Sequence, residues 1–180
     1  MAAAKRPDAI ALIKADHDKV QDLFKTFGSA KGESRKTTFA KEICMELIIH
    51  TMIEEEIFYP ACREAGVETD MLDEALVEHD AAKVLIAEIE AGADARYFEA
   101  KVSVLSEEIN HHIREEEKPK EGILAQARKA KLDMKELGER LKARKQELTK
   151  QFKSDGLPTP EPRTFASVEP GGQGMANDRS

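Results

Sequence analysis

His50 and Glu54, and again His112 and Glu116, are the residues of this sequence whose types and spacing could do chemistry. Each pair is spaced i, i+4, so on a helix the imidazole and the carboxylate point to the same side. Each pair also interrupts an apolar stripe. Phe39, Ile43 and Leu47 precede His50 and Glu54, and Ile57 and Phe58 follow them; Phe98, Val102, Leu105 and Ile109 lead to His112 and Glu116. A buried imidazole or carboxylate is costly unless something pairs with it. Two such helices facing each other bring two histidines and two carboxylates together, which is a metal site in outline.

Two more histidines sit in seams of the same kind. His17 lies in the run Ile10, Ile13, His17, Val20, Phe24, Phe27, and His79 in the run Leu72, Leu76, His79, Ile86, Ile89. Of the five histidines, only His111 is off a seam; it reads as a boundary residue or an outer hydrogen-bond donor. In an up-down-up-down bundle, residues at mid-helix converge at one level of the core. Four imidazoles and two carboxylates are too many for one tetrahedral zinc and suit two first-row ions bridged by carboxylates. With no thiolate in the set, iron, manganese or zinc is favoured over copper(I). Glu55, Glu56, Glu115 and Glu117 read as solvated helix faces. Tyr59 reads as ordinary packing, and Cys44 and Cys62 as small core or boundary residues.

The elements that position these residues follow from periodicity and punctuation. A first helix starts at Pro7-Asp8 and stops at Gly28; residues 28–36 read as a loop; a second helix runs from about Thr37, or earlier, to the region of Pro60 and Gly66. A third starts near Thr69-Asp70 and ends at Gly92. A fourth runs from about Asp94 to Lys118, closed by Pro119. The expected fold is therefore all-α: an up-down-up-down four-helix bundle over residues 8–118. A helical extension over 119–152 follows, with a short turn of helix near Ile123 to Ala127 and a fifth helix packed outside the bundle. Residues 153–180, rich in Pro, Gly and polar residues, read as a disordered tail.

Composition agrees and excludes some functions. The chain has 180 residues, of which 35% are charged and 5% aromatic, with no Trp. A net charge of −7 argues against nucleic acid as a partner. No run approaches a membrane span, no signal peptide opens the chain, and the two cysteines lack ligand spacing; the expected location is cytoplasmic.

The order His, His-x-x-x-Glu, His, His-x-x-x-Glu resembles the hemerythrin-like, HHE cation-binding domain family. The stretches ALIKADHDKV, IIHTMIEEEIFYPA, EHDAAKVLI and INHHIREEE carry the likeness, over roughly residues 8–150. The resemblance implies a non-haem di-iron centre, ahead of manganese or zinc. His17 and His50 would serve one iron, His79 and His112 the other, and Glu54 and Glu116 would bridge them. It also implies reactivity with a small oxidant: hydrogen peroxide, O2 or NO. The oxygen-carrying members have two histidines on the third helix; here Ala75 and Lys83 flank His79, so one ligand fewer is present. An open coordination position favours reactivity, including catalase-like peroxide breakdown, over carriage. The alternative is an iron, oxygen or redox sensor without turnover, with a protein partner for the C-terminal helix.

Overall fold

The computed structural model describes residues 8–92, 96–159 and 162–165. Helix α1 (Ala9–Ser29) begins where Asp8 accepts the Ala11 N–H at 2.8 Å, the cap expected of it. The expected loop after it is short. Gly32, at φ +88, turns the chain, and α2 (Glu33–Ile53) starts at once. Its polar first turns look like a loop in sequence. They are helical, and the Thr37 and Thr38 hydroxyls bond back to the carbonyls of Glu33 and Ser34 at 3.0 Å, within the helix.

Helix α2 does not end at Ile53. It passes through one π turn, Glu54–Phe58, into α3 (Tyr59–Glu64). The π turn is what admits Pro60, which sits in the first turn of α3, where its missing N–H is tolerated. Gly66 (φ +81) then stops the helix.

Helix α4 (Thr69–Glu90) and α5 (Phe98–Glu116) form the second half of the bundle. The expected start of the fourth helix at Asp94 lies outside the described residues. Helix α5 ends two residues before Lys118, and the chain folds back tightly: a Cβ on Gly122 would run into the carbonyls of Glu115 and Glu116. The short α6 (Ile123–Lys129) follows, and α7 (Met134–Asp155) is capped by Asp133, whose carboxylate accepts the N–H groups of Lys135 and Glu136.

The four long helices α1, α2, α4 and α5 enclose one core, with α1 beside α2 and α5, and α4 beside α2 and α5. Helix α7 lies against α1, α2 and the π turn, burying Leu137, Leu141, Leu148 and Phe152. Each such side chain contributes about 2 kcal/mol by leaving water. The helix runs to Asp155, past the boundary expected at 152, and Thr164 of the segment beyond donates its N–H to Asp80 at 2.7 Å. The rest of the expected tail, 160–161 and 166–180, lies outside the described residues. Among the described residues, no helix is long and apolar enough to cross a membrane.

Candidate metal centre

The bundle brings all six seam residues together. His17 comes from α1, His50 from α2, Glu54 from the π turn, His79 from α4, and His112 and Glu116 from α5; each is buried. They form two triads sharing Glu54: His17, His50 and Glu54, and Glu54, His79 and His112. Within each triad the ligand atoms lie inside 4.8 Å of one another. His17 Nε2 and His50 Nε2 are 3.2 Å apart, and so are His79 Nε2 and His112 Nε2. Glu116 Oε2 lies 3.2 Å from His17 Nε2 and 3.8 Å from His112 Nε2, so it spans the triads on the other side. The two histidine pairs are related by a regular repeat: in each hairpin the partners are 33 residues apart.

Around the imidazoles stand four more carboxylates. His17 Nδ1 meets Glu117 at 2.8 Å, His79 Nδ1 meets Glu55 at 3.0 Å, and His112 Nδ1 meets Glu78 at 2.7 Å. His50 Nδ1 faces Asp16 Oδ2 at 3.8 Å. A carboxylate behind Nδ1 fixes the tautomer with its proton there and leaves Nε2 a lone pair. Glu55 and Glu117 are therefore not solvated faces, as their sequence context suggested. Each follows a seam carboxylate by one residue and points at the neighbouring helix. Asp16 and Glu78 each precede a seam histidine, and this duplicated acidic neighbour was the available signal. His111 takes the outer role expected of it, 3.5 Å from the far oxygen of Glu78.

With the outer nitrogens of His17, His79 and His112 so engaged, Nε2 atoms 3.2 Å apart face each other, and a cation or proton must lie between them. Glu54 Oε1 is buried with no hydrogen-bond partner, and Glu116 Oε2 has its ion pair but no aligned hydrogen bond. Six nitrogen and oxygen donors with no thiolate, facing inward around orphaned carboxylate oxygens, fit two first-row ions.

Tyr59 is the residue the sequence reading missed. Its Oη lies 3.3 Å from both Glu54 Oε2 and Glu116 Oε1, and 3.5 Å from His79 Nε2. An ordinary helix would stack Phe58 over Glu54. The π turn bonds the Tyr59 N–H to the Glu54 carbonyl, five residues back, and brings the tyrosine over the carboxylate instead. Burial, then the charges of Glu116 and Glu54, push the phenol well above its ordinary range, so it keeps its proton.

The charges of the metal-free centre set how it loads. Burial disfavours an imidazolium at His17, but its bonds to Glu116 and Glu117 outweigh that and raise it to about 9. Burial likewise opposes charge on Glu116, but His17 draws it down to about 2. Burial and the charge of Glu116 push Glu54 well up, and burial pushes His50 and His79 down. The stability His17 contributes is thus full below pH 6.5 and lost as pH rises through about 9. That of Glu116 is full above 4.5 and lost as pH falls through about 2. A metal ion must displace the proton on His17, and burial with the charge of Glu116 makes Glu54 resist ionising until the ion arrives. Metal affinity is therefore expected to climb by about tenfold per pH unit for each proton released between pH 6 and 8. A competition titration with a chelator of known affinity checks this; a pH-independent affinity would contradict it.

A cavity of about 30 Å³ touches His112 and Glu116 from outside, lined by Met71, Glu74, Ala75, Glu78, Glu115 and Ile123. It opens beside Ala75.

The family of the hemerythrin HHE cation binding domain matches residues 8–119. Among solved structures, the crystal structure of a hemerythrin HHE cation binding domain-containing protein from Mycobacterium kansasii matches with a TM-score of 0.69 at 20% identity. The match covers 84% of this chain and 95% of that one, and at that identity it speaks for the fold. No curated protein matches.

Proposed function

Because this chain belongs to the hemerythrin HHE cation-binding domain family, we propose that it is a non-haem di-iron protein that binds and consumes a small oxidant. Hydrogen peroxide is the leading substrate, and O2 and NO belong to the same size class. The observation that carries this reading is the pair of triads sharing Glu54, with Glu116 spanning them and a narrow cavity against one side. Two iron ions, held by the four imidazoles and two carboxylates, would supply two electrons that with two protons take one peroxide to two waters, and a second peroxide would give back two electrons and two protons on leaving as O2.

The chain's own residues do the rest. Four imidazoles, each backed by a carboxylate, orient their Nε2 lone pairs inward. Tyr59 Oη holds a proton between Glu54, Glu116 and His79, within reach of an oxidant at the centre. The cavity admits molecules of a few atoms, and the acidic side chains of Glu74, Glu78 and Glu115 around it favour neutral ones. The two buried free cysteines suit a reducing compartment such as the cytoplasm.

The test is peroxide consumption by iron-loaded protein against the same amount of free ferrous iron. The protein is expected to be faster. Ala75→Leu, which fills the cavity, is expected to slow it about tenfold, equivalent to about 1.4 kcal/mol, with unchanged iron content. Consumption no faster than free iron would sink the reading. One observation favours a second reading, a sensor without turnover: α7 reaches the outer shell of the centre through Lys145.

A further inference from the structure

Three of the four carboxylates behind the imidazoles are themselves held by lysines. Lys14 of α1 pairs with Glu117, and Lys83 of α4, itself buried, pairs with Glu55 at 2.8 Å. Asp16 is held differently. Its partner is Lys145 of α7, outside the residues that the family match covers. Lys145 also lies 3.6 Å from Glu46 of α2, so its ammonium sits between the two helices that carry His17 and His50.

The Asp16 relay is also the looser one. The other three imidazoles close on their carboxylates at 2.7 to 3.0 Å. His50 Nδ1 and Asp16 Oδ2 stand 3.8 Å apart, both buried and both without a hydrogen-bond partner. Asp16 is the carboxylate that faces His50 Nδ1, so a shift of Asp16 by about 1 Å makes or breaks that hydrogen bond, and whatever holds Asp16 decides it. Asp16 Oδ1 is held by Lys145. Helix α7 is seated by Leu141 and Leu148 in the core and by Arg144, which forks onto Glu56 of the π turn at 2.7 and 3.1 Å.

We propose that Lys145 is a positioning residue for His50, acting through Asp16, and that α7 is thereby a working part of the metal centre. The proposal rests on the di-metal reading above and adds an asymmetry to it. Asp16 behind His50 takes its cation from α7; Glu55 and Glu78, behind His79 and His112, take their direct partners from the bundle helices. By linkage, whatever lifts α7 loosens the ion at His17 and His50, and loss of that ion loosens α7 to the same degree. This gives a metal-binding domain a means of signalling its occupancy to a partner of the C-terminal helix.

The experiment is release of ferrous iron from the anaerobically loaded full chain to a coloured chelator. Wild-type protein is expected to release two ions. Lys145→Met is expected to speed one of them about tenfold and leave the other unchanged, the lower end of what loss of outer-shell support costs. Lys145→Arg is expected to restore the wild-type course. Asp16→Asn should speed the same ion, and Lys145→Met should add nothing in that background, because the lysine acts through the aspartate. In metal-free protein, Lys145→Met should shift the His50 ring resonances and leave those of His112 in place, a readout that needs no metal. Unchanged release, equal acceleration of both ions, multiplicative effects of the two substitutions, or an unmoved His50 resonance would each overturn the proposal. Wild-type protein that holds no second ion would instead defeat the di-metal reading, and this inference with it.

Discussion

Glu54→Ala is expected to take bound iron from about two ions per chain to well below one. Glu54 is the one carboxylate common to both triads, so its loss strips a ligand from each ion and the anionic bridge between them. The effect on the metal-free fold should be small or even favourable. Glu54 is fully buried, one of its oxygens has no partner, and burial with the charge of Glu116 already pushes it toward the neutral acid. Leu47→Ala on the same helix is the counterpart. Leu47 is a buried core residue, and truncating it should destabilise the fold by about 2–5 kcal/mol while leaving metal stoichiometry intact. The two variants, compared by elemental analysis and thermal unfolding, separate residues kept for metal from residues kept for packing. Glu54→Ala with undiminished iron would show that the shared carboxylate is no ligand.

Removing the metal is the second large effect. Metal-free protein must keep six polar side chains in its core with only His17 and Glu116 in mutual charge balance. An ion present at about a thousand times its dissociation constant adds about 4 kcal/mol to folding stability. For a domain of this size that is a rise in Tm of about 8 to 16 °C for each ion held. Calorimetry of metal-free and iron-loaded protein at pH 7 measures it. The gain should shrink as pH falls, because protons then compete more strongly with the ion at His17. Equal Tm values with and without metal would mean that the core is satisfied on its own.

The fold was legible because period and punctuation agree. The stripes through His17, His50, His79 and His112 lie on the four bundle helices, and the six seam residues meet in one place. What escaped the sequence reading did so for physical reasons. Tyr59 is turned inward by a π turn, and a reading at 3.6 residues per turn has no place for the extra residue. Glu55, Glu117, Asp16 and Glu78 flank the seams, where an acid on a water-facing surface and an acid aimed at a neighbouring imidazole have the same spacing. Beyond the duplicated acid before His17 and His79, only the packing of one helix on the next tells them apart. Helix α7 was expected outside the bundle and does lie against its flank, but Lys145 reaches Asp16, a contact 129 residues apart in sequence that no local pattern announces. The early start of α2 was hidden by threonines that bond back into the helix.

The most direct test of the central claim is an anaerobic titration of the metal-free protein with ferrous iron, followed by bound metal per chain. The account predicts uptake that stops at about two equivalents, as expected for paired ions sharing carboxylates, and that falls well below one in Glu54→Ala. An end point at one equivalent, no uptake, or uptake indifferent to Glu54 would contradict it.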